Sequence, residues 1–509
     1  MNMNLLTVVL FLPLAGFLAA LGLPRSSAEA SRRWALAVSL VTFVMSLGLL
    51  AGFDRTAGGE QLAWDVPWIA SPNIHFAISV NGVSLWLVLL STLLTPICVL
   101  ISWRSIRNRA KEFYAFLLLL EFGLIGVFLA QDLFLFYVFW EVSLVPMYFL
   151  IGIWGHERRI YAAVKFFLYT MAGSVLMLTA IIYLYNQAHT FSYAAILNQL
   201  SSGELRLNAQ EQLLLFLAFF VAFAIKVPLF PLHTWLPDAH VEAPVAGSVM
   251  LASVMLKMGC YGILHFCLPL FPGAARRCSG WIAVLAIVGI IYGALVAMVQ
   301  PNMKKLVAYS SVSHLGFVVL GIFSFTQQGM DGAVYQMLNH GISTGALFVF
   351  VGLLYERRHS LEISDYGGVA TAAPWLSTAF LITTLASIGL PTLNNFVGEF
   401  LVLQGTAIAH FQWTVWASLG VIFSACYMLW LYQRVFYGKV GEAVRSHVSD
   451  LRAREWAAVV PLLAMMVWMG VYSQTFLPPV GQVTAQIRGM VENVSQRVAQ
   501  PAREVARVR

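Results

Sequence analysis

Apolar runs of 18 or more residues recur from Leu5 to Phe476, each separated from the next by a short polar stretch. A helix of that length crosses a hydrocarbon core of about 30 Å. The pattern predicts an all-α polytopic membrane protein with fourteen spans, at 4–23, 32–52, 83–103, 113–130, 133–154, 162–186, 211–231, 244–267, 281–299, 304–324, 332–355, 374–407, 413–433 and 456–476. The first run resembles a signal-peptide core. No cationic segment precedes it and no small-residue cleavage site follows, so it reads as a retained helix.

Two of these spans are interrupted. In FAIKVPLFPLHTWLP, Pro228, Pro231 and Pro237 each remove a backbone donor, and in LASIGLPTLNNFVGEF, Pro391 does so beside Gly389, Asn394 and Asn395. Within lipid a broken helix survives only where protein or a wet cavity satisfies the freed backbone groups. The interrupted spans are the seventh and the twelfth. Because five is odd, that offset predicts two inverted five-helix repeats, 113–267 and 281–433, inside a single integral membrane domain, 1–509. The loops, at most those around 54–81 and 188–210, are too short for a soluble domain.

Composition agrees: 60% of residues are hydrophobic and only 10% charged, against about a quarter charged in soluble chains. Most of the 30 Lys and Arg fall in alternate loops, among them Arg104, Arg107, Arg158, Arg159, Lys304, Lys305, Arg357 and Arg358. Cations are retained on the cytoplasmic side, so both termini read as non-cytoplasmic. The tail arginines Arg488, Arg497, Arg503, Arg507 and Arg509 run against that orientation. The net charge of +7 is dispersed over loops, which argues against nucleic acid as a partner. Cys98, Cys260, Cys267, Cys278 and Cys426 lack zinc or iron–sulfur spacing, and no nucleotide-binding glycine motif occurs. Redox centres and an energy source are therefore expected in other chains.

The ionisable residues within the spans carry the candidate chemistry. Glu141 lies nine residues past Asp132, roughly 13 Å into its helix. Lys257 is roughly 20 Å past Pro244. Lys226 ends an apolar run at the first break, and Glu399 lies beyond the second. Four charges facing lipid would cost on the order of 10 kcal/mol, so they are expected to pair inside the bundle, Glu141 with Lys226 first. Buried ion pairs seldom stabilise better than apolar packing, which favours function over scaffolding. Burial and a movable partner shift proton affinity, so the set suits proton transfer. His314 and His340, each about 15 Å deep, are natural relays, although a lone helical histidine is more often a packing residue. Glu121 is a further buried acid with an auxiliary or a structural role. His233, Asp238, His240 and Glu242 form a cluster at one mouth, where they feed protons inward, satisfy the turn or, least of all, hold a metal.

The segments VFLAQDLFLFYVFWEVSLVPMYFLIGIWG, AFAIKVPLFPLHTWLPDAHVEAPVAGSVMLASVMLKMGCYG, KKLVAYSSVSHLGF and LPTLNNFVGEF resemble the subunit M branch of the antiporter-like membrane subunits of NADH:quinone oxidoreductase, respiratory complex I. The resemblance implies fourteen helices in two inverted repeats and proton translocation driven by quinone reduction elsewhere in the complex. By motif position it implies roles for Glu141, Lys226, Lys257, His314, His340 and Glu399. Sibling families generally carry lysine where this chain has Glu399, and the glutamate points to subunit M. The resemblance further implies no cofactor in this chain, with flavin, iron–sulfur clusters and quinone in partner subunits. It implies neighbouring subunits L and N and the bacterial inner membrane. The expected route runs from Lys257 through His314 and His340 to Glu399, gated by Glu141 moving against Lys226. The alternatives are a subunit of a multisubunit cation/proton antiporter or of a membrane-bound hydrogenase-type complex.

Overall fold

The computed structural model describes residues 5–24 and 27–507, with the side chains of all of these except Ala443 and residues 493–507. Arg509 and the side chains of Arg497, Arg503 and Arg507 therefore lie outside the described residues.

The chain opens with helices α1 (Leu5–Leu21) and α2 (Ala28–Leu47), followed by the strands β1 (Gln61–Ile69) and β2 (Ile74–Val80). This antiparallel hairpin occupies what the sequence reads as loop 54–81, and it is an addition to an otherwise helical fold. It is tied to the bundle where the His75 amide donates to Asp132, the residue that also caps the start of α5. Next come α3 (Ser84–Ile101), α4 (Ala110–Leu129), α5 (Leu133–Trp154), α6 (Arg159–Ala188) and α7 (Ala209–Lys226). A capping box at Asn208 and Glu211 fixes where α7 begins, and so places Lys226 at its far end.

At that end the chain breaks as Pro228 and Pro231 predict, and resumes in the short α8 (Trp235–Glu242). A continuous helix, α9 (Val245–Leu270), follows, and its turns widen to π geometry at Leu251–Met255 and Ile263–Cys267. Then α10 (Pro272–Met298), α11 (Met303–Ile322) and α12 (Gln327–Arg358) pack in sequence. The second break separates α13 (Pro374–Ser387) from α14 (Asn394–Ala409), with α15 (Phe411–Phe436), α16 (Ala453–Val471) and α17 (Leu477–Arg507) closing the chain.

Twelve helices among the described residues are long and apolar enough to cross a membrane. The fourteen segments read from sequence exceed that number by α1, which has 17 residues, and by the interrupted α13–α14 segment. Burial is uneven. The apolar windows of α9 and α12 are wholly buried, whereas α6 turns Ile160, Leu168, Val175 and Ile182 outward. Apolar side chains facing out suit lipid or a neighbouring subunit, and the two buried helices form the axis that carries the site.

Candidate functional site

Lys257 and His340 stand midway along the two buried helices α9 and α12, both fully shielded. The Lys257 Nζ lies 2.6 Å from His340 Nδ1 and donates to the Ala252 carbonyl at 2.5 Å. The widened turn explains the second contact, because a carbonyl released from the regular i→i+4 ladder is free to accept from a side chain. When Lys257 is protonated its ammonium has only donors, so His340 Nδ1 accepts and the ring proton lies on Nε2, which has no partner among the described residues.

The next group is His314 on α11, whose ring centroid is 5.9 Å from that of His340. His314 Nδ1 donates to Glu399 Oε1 at 2.8 Å, and Tyr427 on α15 donates to His314 Nε2 at 3.4 Å, which fixes a self-consistent tautomer. Gln336 donates to the same Glu399 oxygen at 3.0 Å and accepts from Asn339. The second helix break positions the acid. Gly389 adopts a φ of +76°, a region costly for residues with a Cβ, and an added Cβ would lie 3.2 Å from Glu399 Oε2. The four groups therefore run Lys257, His340, His314, Glu399. The two histidines come in the opposite order to the one read from sequence: His340 of α12 reaches Lys257 of α9, and His314 of α11 reaches Glu399 of α14.

The expected Glu141–Lys226 pair is not closed. Neither Lys226 Nζ nor Glu141 Oε1 has a hydrogen-bond partner among the described residues. Lys226 is 1% exposed and lies over the rings of Trp140, at 5.5 Å, and Phe166, at 5.2 Å. Glu141 is half-buried on α5. The end of α7 touches α9 at Gly259, where an added Cβ would meet the Phe223 carbonyl at 2.6 Å, so Lys226 and Lys257 belong to helices in direct contact. Glu121 is buried on α4, its carboxyl beside Thr95 of α3 and without a closed hydrogen bond among the described residues.

The mouth cluster disperses. His233 stacks on Phe230, Asp238 binds Lys165 at 2.6 Å, and Glu242 accepts from the Arg158 amide at 2.9 Å. Among the described residues no group of three His, Cys, Asp or Glu is arranged to hold a metal. His240 stacks on Phe348 at 4.5 Å, wholly buried, and neither ring nitrogen has a hydrogen-bond partner among the described residues.

Lys304 escapes the sequence reading as a site residue, while His240 is expected there only as one of the mouth cluster. His240 lies in the field of both Lys257 and Lys304. Lys304, taken from sequence as a loop cation, is instead 1% exposed in the first turn of α11 and donates to the Ala243 carbonyl at 2.7 Å. Outside the membrane, His156 donates its amide to the Glu242 carbonyl and contacts the Tyr355 hydroxyl. Burial, helped by the nearby Lys304 charge, lowers its pKa to about 4.

Comparison with known proteins gives one consistent answer. Residues 130–424 match the family model described as NADH:quinone oxidoreductase/Mrp antiporter, transmembrane. The chain is 46% identical over 495 residues to NADH-quinone oxidoreductase subunit M of Rhodobacter capsulatus, covering 95% of this chain and 96% of the relative. It is 42% identical to subunit M of Rickettsia prowazekii (strain Madrid E), over 94% of this chain and 97% of that one. A chain of respiratory complex I from Thermus thermophilus superposes with a TM-score of 0.87 at 33% identity, covering 96% of this chain and all of its own. The chain belongs to the subunit M family of NADH-quinone oxidoreductase.

Proposed function

We propose that this chain moves protons across the membrane as an antiporter-like subunit of an NADH:quinone oxidoreductase. The observation that carries the reading is the buried series Lys257, His340, His314, Glu399, with contacts of 2.6 Å and 2.8 Å at its two ends and one ring-to-ring gap of 5.9 Å between them. A proton on Lys257 has an acceptor at hydrogen-bond distance. His340, charged on Nδ1, can release its other proton from the free Nε2 across the gap, through one bridging water or a ring rotation. His314 then passes a proton to Glu399. His240 and Lys304 extend the line toward the face that bears Arg104, Arg158 and Arg357.

Lys226 and Glu141 supply the switch. Two ammonium groups on touching helices disfavour each other, so a charge on Lys226 promotes proton release from Lys257. When Glu141 approaches Lys226 that repulsion is screened and Lys257 reloads. Whatever drives Glu141 must interact differently with the two states, which assigns the drive to a neighbouring subunit. The partners are other membrane subunits of the complex, L and N foremost. Flavin, iron–sulfur clusters and quinone belong to partner chains. Relatives in Rhodobacter and Rickettsia support the bacterial inner membrane as the location. The two helix breaks, after Lys226 and before Glu399, support reading 113–267 and 281–433 as repeats.

The test is made in the whole complex, in membranes. Lys257→Met and Glu141→Gln are each expected to lower proton pumping per NADH oxidised, or to stop both together. Pumping at the normal rate and ratio in both variants would refute the assignment.

A further inference from the structure

Away from the line of ionisable groups, α2, α3, α12 and α16 enclose a groove of about 590 Å³. Its walls are apolar, with Leu93 and Ile97 of α3 facing Ala464 and Met465 of α16. Its one charged lining residue is Arg55, at the end marked by Trp86 and Trp468. Arg55 is exposed and forms no salt bridge among the described residues, and the neighbouring Asp54 carboxylate is engaged by Thr56 through its amide and hydroxyl. A cation thus stands at one mouth of an otherwise apolar slot, where tryptophan and arginine mark a membrane interface.

The dimensions select the occupant. From Trp86 to Leu100 the groove follows α3 for fourteen residue rises, about 21 Å. One leaflet of the hydrocarbon core is about 15 Å deep, so an acyl chain fits along the slot with its head at the mouth. We propose that this groove is a binding site for an anionic phospholipid, its acyl chain between α3 and α16 and its phosphate facing Arg55.

The experiment uses the intact complex in nanodiscs containing phosphatidylglycerol or phosphatidylcholine with a photoactivatable diazirine in the acyl chain, followed by peptide mapping. Peptides from 84–101 and 453–471 are expected to take up the anionic probe about fivefold more than the zwitterionic one, the effect of one surface cation. Arg55→Gln brings that ratio to about one, and Ala464→Trp, which fills the slot, removes the label from both peptides. Because Arg55 is exposed, its variant keeps the test decisive even if Ala464→Trp fails to assemble. Equal labelling by the two probes in the unaltered complex would overturn the proposal. So would labelling no stronger than that of the outward face of α6, the result expected if a partner subunit covers the groove.

Discussion

Replacing Lys226 by Met separates a structural amine from a functional one. The Lys226 Nζ is buried without a hydrogen-bond partner, and an orphaned buried donor costs about 1–3 kcal/mol. Against this stand two cation–π contacts, to Trp140 and Phe166, each contributing about 0.5–2 kcal/mol. Methionine is unbranched, close in volume and tolerant of irregular surroundings, so its packing penalty is small. The net effect runs from about 2 kcal/mol stabilising to about 3 kcal/mol destabilising, centred near zero, and the variant should assemble and resist thermal inactivation much as the parent does. Its proton chemistry should not survive. A positioned acid–base group contributes about a hundredfold or more, and Met can neither bind nor release a proton. Pumping is read in inside-out vesicles from the quenching of a pH-sensitive dye during NADH oxidation, and assembly is read on native gels. Pumping within twofold of the parent would refute the role assigned to Lys226. So would loss of the assembled complex, because a buried amine that holds helices together costs about 3–5 kcal/mol to remove.

Glu399→Gln keeps an oxygen for His314 and Gln336, so assembly is retained while proton transfer fails; Glu399→Leu orphans both donors, costs about 2–6 kcal/mol and should show reduced assembly on native gels. Gly389→Ala forces a Cβ into the left-handed region, about 1–2 kcal/mol, and presses on the Glu399 carboxylate. Pumping should fall more than assembly does; an unchanged pumping rate would show that the position of this carboxylate is not critical. His156, with its folded pKa lowered to about 4 against an ordinary 6.5, contributes stability above pH 6.5 that is lost as pH falls toward 4. His156→Gln should flatten that part of the thermal-inactivation profile, and an identical profile would exclude the effect.

The sequence makes depth legible and azimuth obscure. Hydropathy locates each span, and the prolines at 228, 231 and 391 mark the two breaks, because lipid leaves few ways to satisfy a freed carbonyl. Depth along a helix follows from residue count, so Lys257, His314, His340 and Glu399 could all be placed near the middle of the bilayer. Rotation about the axis does not follow, because helices buried on all sides carry no polar face to orient them. That is why Glu141 and Lys226 read as a closed pair and stand within electrostatic reach of each other without bonding, and why the order of the two histidines is reversed. Lys304 shows the same limit: at a helix start, a buried lysine and a snorkelling one look alike. The hairpin went unread because β1 is mostly exposed, its register shifts between Gln61 and Trp64 and between Pro67 and Ile69, and Pro67 argues against a strand. What the family motifs contribute is the choice of ionisable residues; what the fold contributes is their adjacency.

The wide turn at Leu251–Met255 has a consequence for how this chain can change over time. Such a turn takes up one residue more than a regular turn does, so the extra residue is absorbed locally and the helix beyond it keeps its facing. Deleting one position between 251 and 255 would restore an ordinary helix and leave Lys257 still aimed at His340. The widened turn is thus separable from the placement of the site, and a one-residue deletion there removes the local loosening beside the lysine without moving the groups that follow.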